Sequence, residues 1–262
     1  MSAGADAGDD RFYDSYVSTH AGTGGAAAAA LVYRRDIRPY LPRRSASCRV
    51  LDIGCGQGKL VALMLADGLD AHGVDISPEQ VAVAHARGLD RVQLGDLHRY
   101  LHETAGTWDA IVATDVLEHL TRRELIRTFD DVRAALRRGG RFIARVPNAV
   151  SPTGGHTMYG DFTHQTWFTH RRVAQLAAVT GFDSVRSRAC PPPVHGLTSL
   201  VRSVVWGLIG GAWKLALMAE TGQLRGHIVT QNLTFVAASG ELAVSRPVTR
   251  AAVSVDSERQ PA

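Results

Sequence analysis

The chain has 262 residues, 45% hydrophobic and 21% charged, with a formal net charge of +4. These are ordinary values for a soluble globular protein of one medium domain with an insertion or cap. Lys59 and Lys214 are its only lysines, and no Lys/Arg run reaches the density of a nucleic-acid or polybasic patch. Cys48, Cys55 and Cys190 have no paired spacing, which argues against a disulfide framework or a zinc site. The N-terminus is small and acidic where a secretory leader would be charged and then apolar. The expected setting is a reducing cytoplasm.

Residues 1–10 are predicted to be disordered, residues 11–47 to form a helical cap, and the tail from 239 to 262 to be disordered again. Between them strands alternate with helices, the pattern of a parallel sheet. Arg49–Ile53 is a short apolar run ending in glycines, hence a buried strand, followed by a helix from about Gly58 to Ala66. Ala71–Val74 is the second strand. Ser77-Pro78-Glu79-Gln80 then opens a helix, with Ser77 as cap, Pro78 at the first helical position and Gln80 closing a capping box; Gly88 ends it. Arg91–Leu94 and Ala110–Ala113 are the third and fourth strands. Thr121 and Glu124 form a second capping box, opening a long helix that Gly139-Gly140 should terminate. Arg141–Val146 is the fifth strand. Residues 48–147 thus read as a cofactor-binding core. Residues 148–238 read as a substrate loop, a helical insertion and the last strands, Ser184–Arg188 and Ile228–Ala237.

Three motifs lie at predicted strand ends. Asp52-Ile53-Gly54-Cys55-Gly56-Gln57-Gly58 runs from a strand into a helix. Glycines there let the backbone approach a ligand and adopt positive φ. The spacing is Gly-x-Gly-x-Gly, not the Gly-x-Gly-x-x-Gly of dinucleotide sites. A carboxylate at Asp52 would repel a pyrophosphate but could hold an amino-acid ammonium. Asp75, with Ile76 beside it, ends the second strand, where an acid can accept from ribose hydroxyls. Gly95-Asp96-Leu97 ends the third: Asp96 can accept from an adenine amino group with Leu97 against the ring, or act only as a helix N-cap.

Together with Asp115-Val116-Leu117-Glu118-His119-Leu120, these motifs resemble, in order and spacing, class I S-adenosylmethionine-dependent methyltransferases of the branch that includes ubiquinone-pathway O-methyltransferases. The resemblance covers about residues 48–147. It implies an α/β, Rossmann-like doubly wound sheet of seven strands, mainly parallel, with one antiparallel strand near the C-terminus. It also implies that Asp52, Gly54, Cys55 and Gly56 meet the methionine part of S-adenosylmethionine, Asp75 and Ile76 the ribose, and Asp96 and Leu97 the adenine. Asp115 would line the boundary with the methyl acceptor. A looser similarity, through Tyr159-Gly160-Asp161-Phe162-Thr163-His164, points to bacterial methyltransferases of glycan or natural-product pathways. Thr114-Asp115-Val116-Leu117 departs from the Asn/Asp-Pro-Pro-aromatic motif of nucleic-acid amino-methyltransferases, so no nucleic-acid partner is expected.

The expected chemistry is O-methylation of a small-molecule, sugar or lipid-linked acceptor. His164 is the candidate general base, with Asp161 orienting it and His119 in reserve. His156, Asp161 and His164 lack regular metal-ligand spacing, so no metal is assigned. Residues 196–219 are apolar, but Arg202 and Lys214 bound an uncharged stretch of 11 residues, too short to span a bilayer. This favours helices packed over the active site or in a homodimer interface; the sharper reading is peripheral membrane contact for a lipid-linked substrate. The rival functions are a non-catalytic binding protein of the same fold and an NAD-linked oxidoreductase.

Overall fold

The computed structural model describes residues 25–42, 47–194, 196–223 and 225–240. The disorder expected of residues 1–10, residues 11–24 and 43–46 of the expected helical cap, and the tail from 241 fall outside them. Ser239 and Gly240, expected in the disordered tail, are held instead: Gly139 N donates to the Ser239 carbonyl at 2.8 Å and Gly240 N to Asp183 Oδ2 at 2.6 Å. The elements run α1 (Ala26–Val32), β1 (Arg49–Ile53), α2 (Lys59–Ala66), β2 (Asp70–Asp75), α3 (Pro78–Ala86), β3 (Val92–Leu94), α4 (Leu97–Glu103), β4 (Trp108–Thr114), α5 (Arg122–Ala135), β5 (Leu136–Pro147), α6 (Gly154–Met158), α7 (His170–Val179), β6 (Ser184–Ala189), α8 (Leu197–Thr221) and β7 (Asn232–Ala238). The sheet order is β3-β2-β1-β4-β5-β7-β6. β7 runs antiparallel to β5 and β6, and the other pairs are parallel. This is the seven-stranded α/β sheet implied by the motifs.

Successive side chains on a strand point to opposite faces, and both faces of this sheet are covered. Leu51 and Ile53 of β1, Ile111 of β4 and Phe142 of β5 face α4, α5 and α7. Val50, Ala110, Val112 and Ile143 face α2, α3 and the N-terminal helical segment through Tyr33 and Ile37. On the first face Phe129, Phe142, Phe182 and Phe235 form a ring cluster with centroid separations of 5.3 to 6.4 Å.

Four local expectations give way to tertiary contacts. α5 stops at Ala135, before the glycines, because Leu136 turns extended and pairs with Trp108. β7 begins at Asn232: the carbonyls of Ile228 and Thr230 accept from Asn148 Nδ2 and so leave the ladder. Ser77 Oγ accepts from Gln80 N, yet the Gln80 side chain does not complete a capping box and lies instead toward Gly56. The insertion is one continuous helix of 25 residues. Among the described residues it is largely uncovered, in place of the packed helices expected.

Phe129 is fully buried at the centre of the ring cluster. Phe129→Ala is expected to lower the unfolding free energy by ~3–5 kcal/mol, the usual range for a large core side chain. The change should appear as a lower urea midpoint at unchanged slope; a loss below about 1 kcal/mol would place the core elsewhere.

Candidate active site

The carboxyl ends of β1, β2 and β4 meet at one edge of the sheet, where ligands bind in doubly wound folds. The loop after β1 carries three glycines in the left-handed region, Gly54 (φ 63°), Gly56 (φ 52°) and Gly58 (φ 70°). Two of them lack room for a side chain as well. A Cβ on Gly54 would stand 2.4 Å from Val116 Cγ2, and one on Gly58 would stand 2.7 Å from Leu89 Cδ1. The Cys55 side chain turns inward beneath Gly73, where a Cβ would meet its sulfur at 2.6 Å. Burial, followed by the charges of Asp52 and Asp75, holds its thiol protonated. Cys55 therefore presents only its backbone to the edge, since its sulfur belongs to the core.

Asp75 fastens this loop. Its Oδ2 accepts from Gly56 N at 2.7 Å and its Oδ1 from Ser77 N at 2.8 Å. Burial raises its pKa, and the two N–H groups hold it down in part. Each oxygen keeps a further acceptor site. Asp52 is 1% exposed, with Oδ1 unpartnered. Burial first, then the charge of Asp75, pushes its pKa well up. A buried acceptor without a donor is costly, and an ammonium would relieve it. Ile76 is half exposed beside Asp75. Asp96 caps α4, its Oδ1 accepting from Arg99 N at 2.9 Å, and Leu97 packs partly on the core below.

The segment after β4 crosses directly over the glycine loop through Val116. Asp115 has φ 55°, the one non-glycine residue with positive φ among those described. Its carboxylate pairs with Arg145 of β5, Oδ1 lying 2.6 Å from Nη1. The turn Leu117–His119 then brings Glu118 inward. Its side chain is 1% exposed, its Oε2 has no partner, and burial, then Asp115, raises its pKa well up. The Glu118 carbonyl accepts from Gln165 N and Thr166 N, pinning the 148–168 loop to this turn.

That loop orients a histidine, though a different one from that expected. Thr163 donates its hydroxyl proton to Asp161 Oδ1 at 2.7 Å, and its oxygen lies 2.7 Å from His119 Nδ1. With the hydroxyl proton spent on the carboxylate, His119 Nδ1 must be the donor, so Nε2 is the unprotonated nitrogen of the neutral ring. His164 packs edge-on against His119, with centroids 4.8 Å apart. Its Nδ1 lies 3.1 Å from the Thr157 carbonyl, and its Nε2 stays 4.0 Å from Asp161 Oδ2, too far for a hydrogen bond. Asp161 thus reaches His119 through Thr163.

Among the described residues, Glu118, His119 and His164 bring ligand atoms within 4.8 Å of one another. This is a different trio from the one considered in the sequence, and His156 lies exposed outside it. Atoms about 2.0–2.2 Å from one ion lie at most about 4.4 Å apart, so the three would have to draw together to share a cation. Sequence reasoning weighed Glu118 beside His119 but passed over Thr163 and Arg145. The last carried a signal, being the only charge in Phe142-Ile143-Ala144-Arg145-Val146 of a central strand.

Asp52 yields a pH prediction. Its folded pKa lies above the unfolded value of 3.8, so the folded chain holds the proton more tightly. That stabilisation is complete below the unfolded pKa and is lost as pH rises through the folded one. Asp52→Asn should therefore raise the Tm of the ligand-free protein, by a margin that widens from about pH 4 upward. A margin that stays flat between about pH 4 and 7 contradicts the assignment.

The family described as "Methyltransferase domain" matches residues 26–187, more than half of the chain. Over 82 residues the chain is 37% identical to a ubiquinone biosynthesis O-methyltransferase of Xanthomonas oryzae pv. oryzae, covering 29% of this chain and 34% of that protein. Over 107 residues it is 31% identical to an 18S rRNA (guanine(1575)-N(7))-methyltransferase of Saccharomyces cerevisiae, covering 37% and 39%. The chain thus spans little more than a third of the length of these curated relatives. The structure is similar to that of a SAM-dependent methyltransferase from Archaeoglobus fulgidus, with TM-score 0.62 and 22% identity over 87% of this chain and 99% of that one. The glycine cradle, the unpartnered buried Asp52 and the family match agree: this chain belongs to the methyltransferase-domain family and has the fold of class I S-adenosylmethionine-dependent methyltransferases.

Proposed function

We propose that the chain is a cytoplasmic S-adenosylmethionine-dependent O-methyltransferase acting on a hydroxyl of a small-molecule, sugar or lipid-linked acceptor. The observation that carries this reading is the contact of Val116 with Gly54. It sets the Asp115–His119 segment, with its oriented imidazole, over the loop suited to the methionine part of the cofactor. Asp52 would take the ammonium, the remaining acceptor sites of Asp75, with Ile76 beside it, the ribose hydroxyls, and Asp96 the adenine amino group, with Leu97 against the ring. Cys48, Cys55 and Cys190 are all free thiols, in keeping with a reducing compartment.

Bound S-adenosylmethionine supplies a methyl group already activated on a sulfonium, so positioning contributes much of the rate. What remains for the protein is the proton of the acceptor hydroxyl. As the acceptor oxygen takes that methyl group, His119 Nε2 would receive the hydroxyl proton. Asp161, through Thr163, holds the ring and favours the imidazolium that results. His164, the base expected from sequence, packs against this ring and lacks the direct carboxylate bond. The Arg145–Asp115 pair fixes the strained residue at the start of the segment.

Two measurements test the reading. Asp75→Ala removes both the loop fastener and the hydroxyl acceptor, each charge-assisted bond being worth ~1.5–3 kcal/mol. Calorimetry should show S-adenosylmethionine and S-adenosylhomocysteine weakened together, by about 10-fold at least, with no competition from NAD in the parent protein. Unchanged affinity would remove Asp75 from the site. With the acceptor in hand, His119→Ala should lower kcat by ~10²–10⁴-fold and abolish the acid limb of the pH–rate profile, while S-adenosylhomocysteine still binds. If His164→Ala removes that limb and His119→Ala leaves it, the base is His164.

A further inference from the structure

The helix α8 reverses the usual polarity of a surface helix. Its inner side is small and polar: Ser199 and Gly210 are buried, and Gly210 seats against Val229. Its outer side carries Leu197, Leu200, Val201, Val204, Leu208 and Leu215, all exposed. At 100° per residue these six fall within an arc of about 100°. No acidic residue lies between Leu197 and Ala219. Val205 and Ile209, also exposed, widen the apolar surface to about 180°, and Arg202 and Lys214 stand just beyond its two edges.

The helix is long and apolar enough to cross a membrane by length and composition, yet its setting places it along a surface. Its middle is tied to the domain, with Trp213 Nε1 donating to the Val150 carbonyl at 2.8 Å. The strands on either side of it, β6 and β7, pair with each other through Ala189 and Leu233. A bilayer-spanning helix would need lipid around its midpoint, where this one has Val229 and Val150.

We infer that α8 seats the protein on an anionic lipid bilayer, its apolar arc in the acyl boundary and Arg202 and Lys214 at the headgroups. Charge complementarity favours this occupant over a second copy. A pair of these helices would gather two Arg202 and two Lys214 with only the Glu220 residues near the helix ends to offset them, whereas an anionic surface offsets every one. The exposed apolar surface is also wider than one helical partner covers, because Val205 and Ile209 continue it to one side. The loop that holds Val150 exposes further apolar groups. Tyr159 and Phe162 of the acceptor-side loop are 83% and 84% exposed. That loop is tied to the segment beneath α8 by Gln231 Nε2 donating to Thr157 Oγ1 at 2.9 Å. A bilayer covering α8 therefore lies beside the loop that orients His119, and the Val150–Trp213 bond joins the two.

The inference is independent of the acceptor chemistry, and its test needs no substrate. The full chain is floated with vesicles of phosphatidylcholine containing phosphatidylglycerol, and with phosphatidylcholine alone. Binding to the anionic vesicles, weakened in roughly 1 M salt, with a blue shift of tryptophan emission, is the expected result. Leu200→Ser/Val204→Ser/Leu208→Ser should lower the partition coefficient by on the order of 100-fold. Arg202→Gln/Lys214→Gln should remove the preference for phosphatidylglycerol. Unchanged S-adenosylhomocysteine affinity in both variants shows that they fold. Absence of vesicle binding overturns the proposal, and so does a stable dimer in sedimentation that the triple variant dissolves while vesicles bind neither protein. Equal binding to both vesicle types overturns the electrostatic part.

Discussion

Two backbone N–H groups, of Gly56 and Ser77, converge on the carboxylate of Asp75, and this pair of bonds joins the loop after β1 to the loop after β2. In a doubly wound sheet these loops rise from neighbouring strands and could splay apart. A single half-buried acid holds them at one separation, and it does so only because Gly56 reaches positive φ and turns its N–H toward the acid. The glycine loop, Asp52 below it and the Val116 contact above it all take their places from that join. Asp75 thus has a scaffold role in addition to any ligand contact, and the two roles rest on different lone pairs of the same oxygens.

The site accumulates electrostatic costs that a core selected only for stability would avoid. Asp52 and Glu118 are both buried acids with an oxygen lacking a donor. Asp115 is held at positive φ, where a non-glycine residue is strained by about 1–3 kcal/mol. Arg145 is drawn into a central strand to pair with it. All of this lies at one edge of the sheet, while the opposite faces are packed with aliphatic and aromatic side chains. Such clustering is the expected signature of a site arranged for charge on a ligand, which would supply the partners that Asp52 and Glu118 lack.

The 148–168 loop couples this edge to the helix α8. Its far end is pinned to the His119 turn by the Glu118 carbonyl, and its near end accepts the Trp213 indole. The loop is therefore clamped at both ends by unlike partners, one at the reacting edge and one on an apolar helix turned outward.

The elements that the sequence determined are those set by local chemistry. Ser77 and Thr121 cap their helices, the apolar runs form the buried parallel strands, and the glycines and acids at strand ends come together at one edge. Each follows from interactions within a few residues or from the fixed handedness of βαβ connections. The tertiary structure alone decided where competing partners lay far apart in the chain. Pairing with Trp108 draws Leu136 into a strand before the glycines can end the helix. Asn148 claims the carbonyls of Ile228 and Thr230. Thr163 diverts Asp161 from His164, its neighbour in sequence, to His119, which is 44 residues from Thr163 along the chain. The polarity of α8 was equally hidden, because an apolar stretch reads the same whether its leucines face a core or the solvent. Only the burial of Ser199 and Gly210 shows which side the domain took.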